Sequence, residues 1–145
     1  MLTLVTFIAV LGFLIFIHEL GHYMAAKQVG VRVETFSIGF PPTIYGKKIG
    51  DTEYKVSWIP LGGYVRLFGQ NVTDEDPADP ANYASKSILQ RIYILVGGPA
   101  MNLLLAVVAV NLFVQGLRFG WYVPYDTLPQ AMLFVARINL LLMVF

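Results

Sequence analysis

Two histidines and a glutamate lie close together near the amino terminus, in the sequence His18-Glu19-Leu20-Gly21-His22. On a helix, His18 and His22 lie on one face about 6 Å apart, so their imidazoles can bind the same metal ion. Glu19 points to an adjacent face, where it can act as a general base on a water at that metal without binding the metal itself. The pattern predicts a zinc site, because imidazole suits zinc and zinc activates water without redox chemistry.

The residues before this motif distinguish it from an ordinary polar helix face. On a soluble helix, two histidines and a glutamate at this spacing are often merely solvated, and the motif alone leaves that alternative open. Here the preceding residues, Leu2 to Ile17, carry no charge. Ionisable side chains at the end of such an apolar segment are costly unless they pair or bind something, which favours the metal site.

The composition is typical of a membrane protein. Hydrophobic residues make up 57% of the 145 residues and charged residues 13%, and the mean hydropathy is +0.64. The sequence has no cysteine, so disulfides and thiolate ligands are excluded and a metal must be bound by histidine, carboxylate or water. A net charge of +1, without a basic run between aromatic residues, gives no reason to expect a nucleic-acid partner.

Three apolar segments divide the chain, and we expect about three transmembrane helices in a single membrane domain of residues 1–145. The helices are expected at about residues 2–26, 88–115 and 128–145. The first segment lacks the basic start and the cleavage site of a signal peptide, so we expect it to be retained. Arg137 lies near the middle of the third segment, where its charge costs free energy unless the side chain reaches the membrane surface or pairs. An acidic, proline-containing surface loop is expected at residues 71–87, with solvated charges rather than a cation site.

The polar segment between the first two helices holds most of the basic residues. Residues 27–91 contain eight of the ten lysines and arginines, which by the positive-inside rule places this segment in the cytoplasm and the amino terminus outside. Alternating β-branched and aromatic residues predict a small antiparallel sheet in a β-rich loop of about residues 31–70. The predicted strands, bounded by glycines and prolines, are 31–38, 53–59 and 64–68. This sheet could be an ordinary hairpin domain, or it could approach the metal and offer an edge to an extended substrate.

The second apolar segment contains Gly97-Gly98-Pro99-Ala100-Met101-Asn102. Pro99 removes one helix hydrogen bond and the two glycines permit close backbone approach, so we expect a kink or a tight packing contact here. Asn102 lies at a depth in the bilayer that is compatible with the metal. Its side chain could make an interhelical hydrogen bond or orient a substrate, and the sequence leaves both alternatives open.

Four motifs together resemble the amino-terminal part of a site-2 protease, one of the RseP-like intramembrane zinc metalloproteases of peptidase family M50. The motifs are Phe16-Ile17-His18-Glu19-Leu20-Gly21-His22, Phe36-Ser37-Ile38-Gly39-Phe40, Pro60-Leu61-Gly62-Gly63-Tyr64-Val65 and Gly98-Pro99-Ala100-Met101-Asn102. The resemblance implies that His18 and His22 bind Zn²⁺ and that Glu19 is the catalytic base. It also implies that the loop around Gly62, Gly63 and Tyr64 dips into the membrane and binds substrate, with Asn102 near the substrate backbone.

The resemblance further implies a function in regulated intramembrane proteolysis. The expected substrates are membrane-embedded proteins, such as anti-sigma factors or remnant signal peptides, whose peptide bonds are hydrolysed within the lipid bilayer. The expected location is the bacterial inner membrane, with the active site near its cytoplasmic face.

Two parts of the family pattern are missing from the sequence. No PDZ domain follows the second apolar segment, and no Asp-Gly pair is present to give the third zinc ligand. None of the aspartates matches that position, since all are in predicted loops: Asp51, Asp74, Asp76, Asp79 and Asp126. Catalytic zinc normally has three protein ligands, so we expect the chain to be truncated before the third.

Two other functions compete with a zinc-dependent intramembrane endopeptidase. A catalytically incomplete fragment or pseudoenzyme would bind membrane substrates or partners without cleaving them, and the missing aspartate favours it. A metal transporter would need ionisable residues on several helices, whereas only the first helix carries such a cluster. Bound zinc together with cleavage of a membrane substrate would distinguish the protease from the binding protein.

Overall fold

In the part of the chain that the structure describes, the fold consists of two long helices and a two-stranded antiparallel sheet. The computed structural model describes residues 2–70, 78–118 and 137. In chain order the elements are helix α1 (Leu2–Gln28), strand β1 (Val33–Ile49), strand β2 (Thr52–Leu67), a short 3-10 helix (Tyr83–Ser85) and helix α2 (Ile88–Arg118).

Both helices are long and apolar enough to cross a membrane. The candidate spans are Leu4–Gln28 and Ile88–Gly116, with 25 and 29 residues and mean hydropathies of 2.2 and 2.0. At 1.5 Å per residue they are about 37 and 43 Å long, which exceeds a hydrocarbon core of about 30 Å. The first two predicted helices are therefore present. The predicted third helix, residues 128–145, lies outside the described residues except for Arg137, and so do residues 71–77 of the predicted acidic loop.

The two helices cross in close contact at Gly21 of α1 and Gly97 of α2. A Cβ atom built on Gly97 would lie 2.6 Å from the carbonyl oxygen of Gly21. One built on Gly21 would lie 2.8 Å from Cγ of Met101 and would overlap the carbonyl group of Gly97. Small residues at such a crossing let helix backbones approach within a membrane. The tight packing expected from the glycines is present, and α2 continues through Pro99 as one helix.

We expect Gly21→Ala to destabilise the fold, because the added methyl group has no space at the helix crossing. Overpacking of this kind costs about 1–3 kcal/mol, which outweighs the roughly 1 kcal/mol that alanine gains over glycine in a helix. Gly12→Ala on the same helix is the matched control, since a Cβ atom there meets nothing within 4 Å. Denaturation in detergent should show a loss of stability for Gly21→Ala and none for Gly12→Ala. Equal stability of the two variants would contradict the crossing.

The strands are longer and more bent than the sequence predicts. Residues 35–38 of β1 pair with residues 53–56 of β2 on one side and with residues 63–66 of β2 on the other. Residues 43–49 pair with residues 52–57, and the turn between the strands lies near Val33, whose carbonyl oxygen accepts a hydrogen bond from the hydroxyl group of Thr52. The prediction of three separate strands bounded by glycine and proline was wrong. These residues lie inside the two strands instead: Gly39, Pro41, Pro42, Gly46, Pro60, Gly62 and Gly63. The register shifts around Phe40 and Thr43 explain how prolines fit, because a bulge leaves ladder positions unpaired.

Apolar packing holds one end of the sheet against α1. The buried cluster joins the end of α1, both strand ends and α2 through Ala25, Ala26, Val31, Val33, Leu67 and Ile94. Phe36 of β1 meets Phe16 and Tyr23 of α1 edge-on, with ring centroids 6.0 and 5.6 Å apart. The hydroxyl groups of Tyr23 and Tyr54 lie 2.8 Å apart. These contacts fix the sheet beside the carboxyl-terminal half of α1, where the His-Glu-x-x-His motif lies.

Residues 40–61 of the sheet, here called the outer arm, expose several large apolar side chains. They are Phe40, Ile44, Tyr45, Ile49, Val56, Trp58, Ile59 and Leu61. Large exposed apolar side chains that cluster on a surface are typical of contact with a membrane or with another protein.

Candidate metal centre

The two histidines of α1 converge on one point. Nε2 of His18 and Nε2 of His22 lie 3.1 Å apart, and the ring centroids are 4.8 Å apart. One helical turn separates the two residues, so both rings leave α1 on the face that packs against α2. The structure thus brings together the two side chains that the sequence predicts as metal ligands.

The other ring nitrogens, Nδ1, are both held by α2. Nδ1 of His22 lies 2.8 Å from the carbonyl oxygen of Ile94. A carbonyl oxygen only accepts, so Nδ1 of His22 donates and the lone pair of neutral His22 is on Nε2. Nδ1 of His18 lies 2.9 Å from the side-chain amide of Asn102. Ligand histidines commonly donate from the ring nitrogen that does not bind metal, as Nδ1 of His22 does here, whereas Nδ1 of His18 faces the NH2 group of Asn102.

Gly98 of α2 keeps open the space in front of both Nε2 atoms. A Cβ atom built there would lie 2.6 Å from Nε2 of His18 and closer still to Nε2 of His22. Zinc binds imidazole nitrogen at about 2.0–2.1 Å, so a zinc ion needs the same space that a side chain at Gly98 would fill. The two histidines and this glycine therefore fit a small metal ion.

The third metal ligand is not found in the part of the chain that the structure describes. Within residues 2–70, 78–118 and 137, no group of three or more His, Cys, Asp or Glu side chains could hold a metal ion. Asp51 lies in the turn between the strands, and Asp79 is 3.4 Å from Arg32. Asp74, Asp76 and Asp126 lie outside the described residues. The described residues therefore provide two candidate metal ligands, His18 and His22.

Glu19 faces a cleft between α1 and the sheet. The cleft has a volume of about 230 Å³ and is lined by Leu11, Ile15, His18, Glu19, Leu61, Gly62 and Gly63. A Cβ atom on Gly63 would lie 2.9 Å from Cγ of Glu19 and 2.8 Å from the carbonyl oxygen of Ser37, so only glycine lets β2 pass this close. Predicted site residues from the helix and from the loop thus meet in one cleft.

Two other residues predicted to bind substrate lie elsewhere. Tyr64 follows Gly63 in β2, pairs with Ser37 and is not among the residues that line the cleft. Asn102 is fully buried between the helices and does not line the cleft either. Its amide makes the interhelical hydrogen bond to His18, and a contact between Asn102 and substrate stays a prediction.

Two parts of the centre have no place among the site residues predicted from the sequence. Gly98 was recognised as a packing glycine, and its position in front of the histidines depends on how the helices cross. The carbonyl oxygen of Ile94 gives no sequence signal, because every residue has one. The pair of glycines before Pro99 was the only indication that α2 comes so close to α1.

Comparisons with known proteins identify the family of the chain. The family model for peptidase family M50 matches residues 6–143. A protein of Chlamydia trachomatis serovar D, named as a zinc metalloprotease, is 47% identical over 118 residues, which are 75% of this chain and 18% of the relative. A Campylobacter jejuni protein with a zinc metalloprotease name is 48% identical over 103 residues, which are 68% of this chain and 27% of the relative. Protease RseP of Yersinia pestis is 39% identical over 140 residues, which are 94% of this chain and 31% of the relative.

The chain spans less than a third of the length of these three relatives, with shares of 18%, 27% and 31%. The match to the family model nevertheless runs from the first turns of α1 to almost the last residue. It includes the histidine motif, the sheet and all of α2. The chain therefore belongs to peptidase family M50, the site-2 protease family of membrane metalloproteases.

Proposed function

We propose that the protein is a zinc-dependent intramembrane endopeptidase of the site-2 protease type, which hydrolyses peptide bonds of transmembrane substrates. The observation that carries this proposal is the convergence of two Nε2 atoms on a space left open by Gly98, with Glu19 in the adjoining cleft. His18 and His22 would hold the ion, and a zinc ion bound there supplies a Lewis acid and an activated water.

Glu19 carries the proton transfers in this proposal. Glu19 directly follows His18 in α1. Its side chain lines the cleft, whereas His22 contacts His18. From the cleft, the carboxylate of Glu19 accepts a proton from the attacking water and delivers a proton to the leaving amine. The cleft that Glu19 faces is lined mostly by apolar atoms, and electrostatic interactions of a carboxylate are stronger in such surroundings than in bulk water.

The sheet supplies a place for an extended substrate. Residues 63–66 of β2 pair with residues 35–38 of β1 on one side, and no described residue pairs with them on the other. A substrate segment added as a strand at this edge would pass Gly63 and therefore Glu19. Such pairing would also satisfy the backbone groups of a substrate helix that has unfolded to expose its peptide bond.

The charges at the helix ends support the proposed arrangement in the membrane. Lys27 near the end of α1 and Arg91 near the start of α2 lie at the end of the helices that carries the sheet. By the positive-inside rule this end is cytoplasmic, with the amino terminus of α1 outside. His22 lies six residues before Gln28, about 9 Å inside that end. The exposed apolar side chains of the outer arm support a sheet that dips into the cytoplasmic leaflet of a bacterial inner membrane.

The proposed partners are membrane-embedded proteins and the lipid bilayer. Anti-sigma factors or remnant signal peptides, cleaved in regulated intramembrane proteolysis, are the substrate classes that the family resemblance suggests. The proposal also requires a third zinc ligand from a part of the polypeptide that the structure does not describe, since catalytic zinc normally takes three protein ligands.

The proposal is tested by measuring bound zinc and proteolysis in the same detergent-purified sample. We expect about one zinc per chain, and cleavage of a transmembrane reporter that a chelator stops and added zinc restores. A sample without zinc at the two histidines would refute the metal centre. Cleavage that persists after the zinc has been removed would refute the mechanism.

A second function is favoured by one observation, the presence of only two ligands among the described residues. In this alternative the protein is a catalytically incomplete member of the family that binds membrane substrates or partner helices. The same measurement separates the two functions, because zinc binding or substrate binding without cleavage would support the binding protein and contradict the protease.

A further inference from the structure

Asn102 is the one polar side chain of α2 that contacts a predicted metal ligand. It is fully buried, its Nδ2 atom lies 2.9 Å from Nδ1 of His18, and its Oδ1 atom has no hydrogen-bond partner. A buried amide with one unpaired atom is expensive between membrane helices. An interhelical hydrogen bond alone therefore does not explain why a polar side chain with an unpaired atom is buried at this position.

The hydrogen bonds form a continuous chain when Nδ2 of Asn102 faces His18. The amide then donates to Nδ1 of His18, Nε2 of His18 donates to Nε2 of His22 at 3.1 Å, and Nδ1 of His22 donates to the carbonyl of Ile94. In this arrangement, both ring nitrogens of each histidine have a hydrogen-bond partner without a metal. It also prevents His18 from binding one, because Nε2 of His18 carries a hydrogen.

Rotation of the amide by half a turn reverses this situation. The oxygen and nitrogen of the amide exchange places, and Oδ1 can accept a hydrogen bond from Nδ1 of His18. His18 then has its hydrogen on Nδ1 and a lone pair on Nε2, as His22 already does. Both Nε2 lone pairs are now available in the space kept open by Gly98. One amide atom of Asn102 stays unpaired in either orientation. Which orientation is the more stable therefore depends on whether a metal ion occupies the space in front of the two Nε2 atoms.

We propose that Asn102 is a positioning residue for His18, whose amide oxygen fixes the tautomer that binds zinc. The inference rests on the proposed function, because it requires zinc at His18 and His22. The two histidines are controlled differently. The carbonyl of Ile94 can only accept, so the tautomer of His22 is constant, whereas Asn102 can accept or donate and allows His18 to exist in two tautomers.

Three variants test this role through zinc affinity, measured by competition with a chromophoric chelator on the full chain in detergent. Asn102→Leu removes both hydrogen bonds, and we expect zinc to bind about 10–100-fold more weakly, as for other groups that orient ligand histidines. Asn102→Asp can accept from Nδ1 of His18, and we expect its affinity to equal or exceed that of the wild type. Asn111→Leu is the matched control on the same helix, because among the described residues Asn111 bonds to the carbonyl of Val107 and not to a histidine, and its affinity should be unchanged.

Nitrogen-15 spectra give a readout that a purely structural role would not change. The chain has two histidines, so labelled imidazole gives only two sets of signals. We expect Nδ1 of His18 to be unprotonated in the metal-free wild type and protonated after zinc is added. In metal-free Asn102→Asp it should already be protonated.

Three results separate this inference from the proposed function. A wild type that binds no zinc overturns the proposed function, and the inference with it. A wild type that binds zinc, with Asn102→Leu binding equally well, overturns the inference alone. Equal weakening by Asp and Leu does the same, because Asn102 would then act only through packing. If Asn102→Leu does not fold, Asn102→Ser, whose hydroxyl is too short to reach His18, replaces it.

Discussion

Glu19→Gln is expected to keep bound zinc and to lose cleavage of a transmembrane substrate. The change removes the proton acceptor from the cleft, and the loss of a general base lowers a rate by about 10²–10⁴-fold. Glutamine has the same shape as glutamate, so its Cγ atom can keep the close contact with Gly63. His18 and His22 are unchanged, so zinc per chain should equal that of the wild type. Metal analysis and a gel-based cleavage assay on the same sample measure both quantities.

Glu53→Gln provides the control for this result. Glu53 lies in β2, where its carboxylate is 2.9 Å from Nζ of Lys55, and it is not among the residues that line the cleft. The same chemical change there should leave cleavage as in the wild type. If Glu19→Gln cleaves at the wild-type rate, Glu19 is not the base. If it loses zinc as well as cleavage, the carboxylate contributes to the metal site instead.

The helices and the histidine pair could be predicted because both depend on short-range properties of the chain. Apolar segments of 25 and 29 residues can be recognised from composition alone. Residues four apart on a helix share a face whatever the rest of the molecule does, so His18 and His22 had to be neighbours once α1 was a helix. The direction in which the pair points is a different matter, because it depends on how α2 packs.

The sheet was predicted less well because glycine and proline have two meanings in a strand. They usually end a strand, which is why three short strands were expected. They also occur at bulges, where ladder hydrogen bonds are missing, and here Pro41, Pro42 and Pro60 lie within long bent strands. Only the register between β1 and β2 distinguishes the two meanings, and register is a property of the folded pair.

The parts of the centre contributed by α2 depend on the helix crossing at Gly21 and Gly97. A shift of one residue along α2 would place neither Gly98 opposite the two Nε2 atoms nor Asn102 beside His18. The sequence indicated a tight contact and a polar residue at a suitable depth, but not which atoms would meet. The site residues of α1 could therefore be predicted once α1 was known to be a helix. The contacts of the site residues of α2 could not be predicted without knowing how the two helices pack.

Gly98→Ala is expected to lose bound zinc although His18 and His22 are unchanged. The reason is that the helix crossing places Gly98 directly in front of the two histidines. The added methyl carbon would lie 2.6 Å from Nε2 of His18 and closer still to Nε2 of His22. A zinc ion needs a position about 2.0–2.1 Å from the same nitrogens, so the methyl group and the ion exclude each other. We expect zinc affinity to fall by at least about 100-fold, which corresponds to about 2.7 kcal/mol. Cleavage should be lost with the zinc.

Gly12→Ala again provides the comparison, because it makes the same change in α1 where a Cβ atom meets nothing within 4 Å. Helix content and elution volume in detergent should be the same for both variants and the wild type, so that a loss of zinc cannot be attributed to unfolding. Spectra of the cobalt-substituted protein locate the effect, since a metal displaced from the histidines loses its imidazole coordination. If Gly98→Ala binds zinc as the wild type does, the space in front of the two histidines does not hold the metal. The ion would then have to lie on the side of the imidazoles that faces the cleft and Glu19.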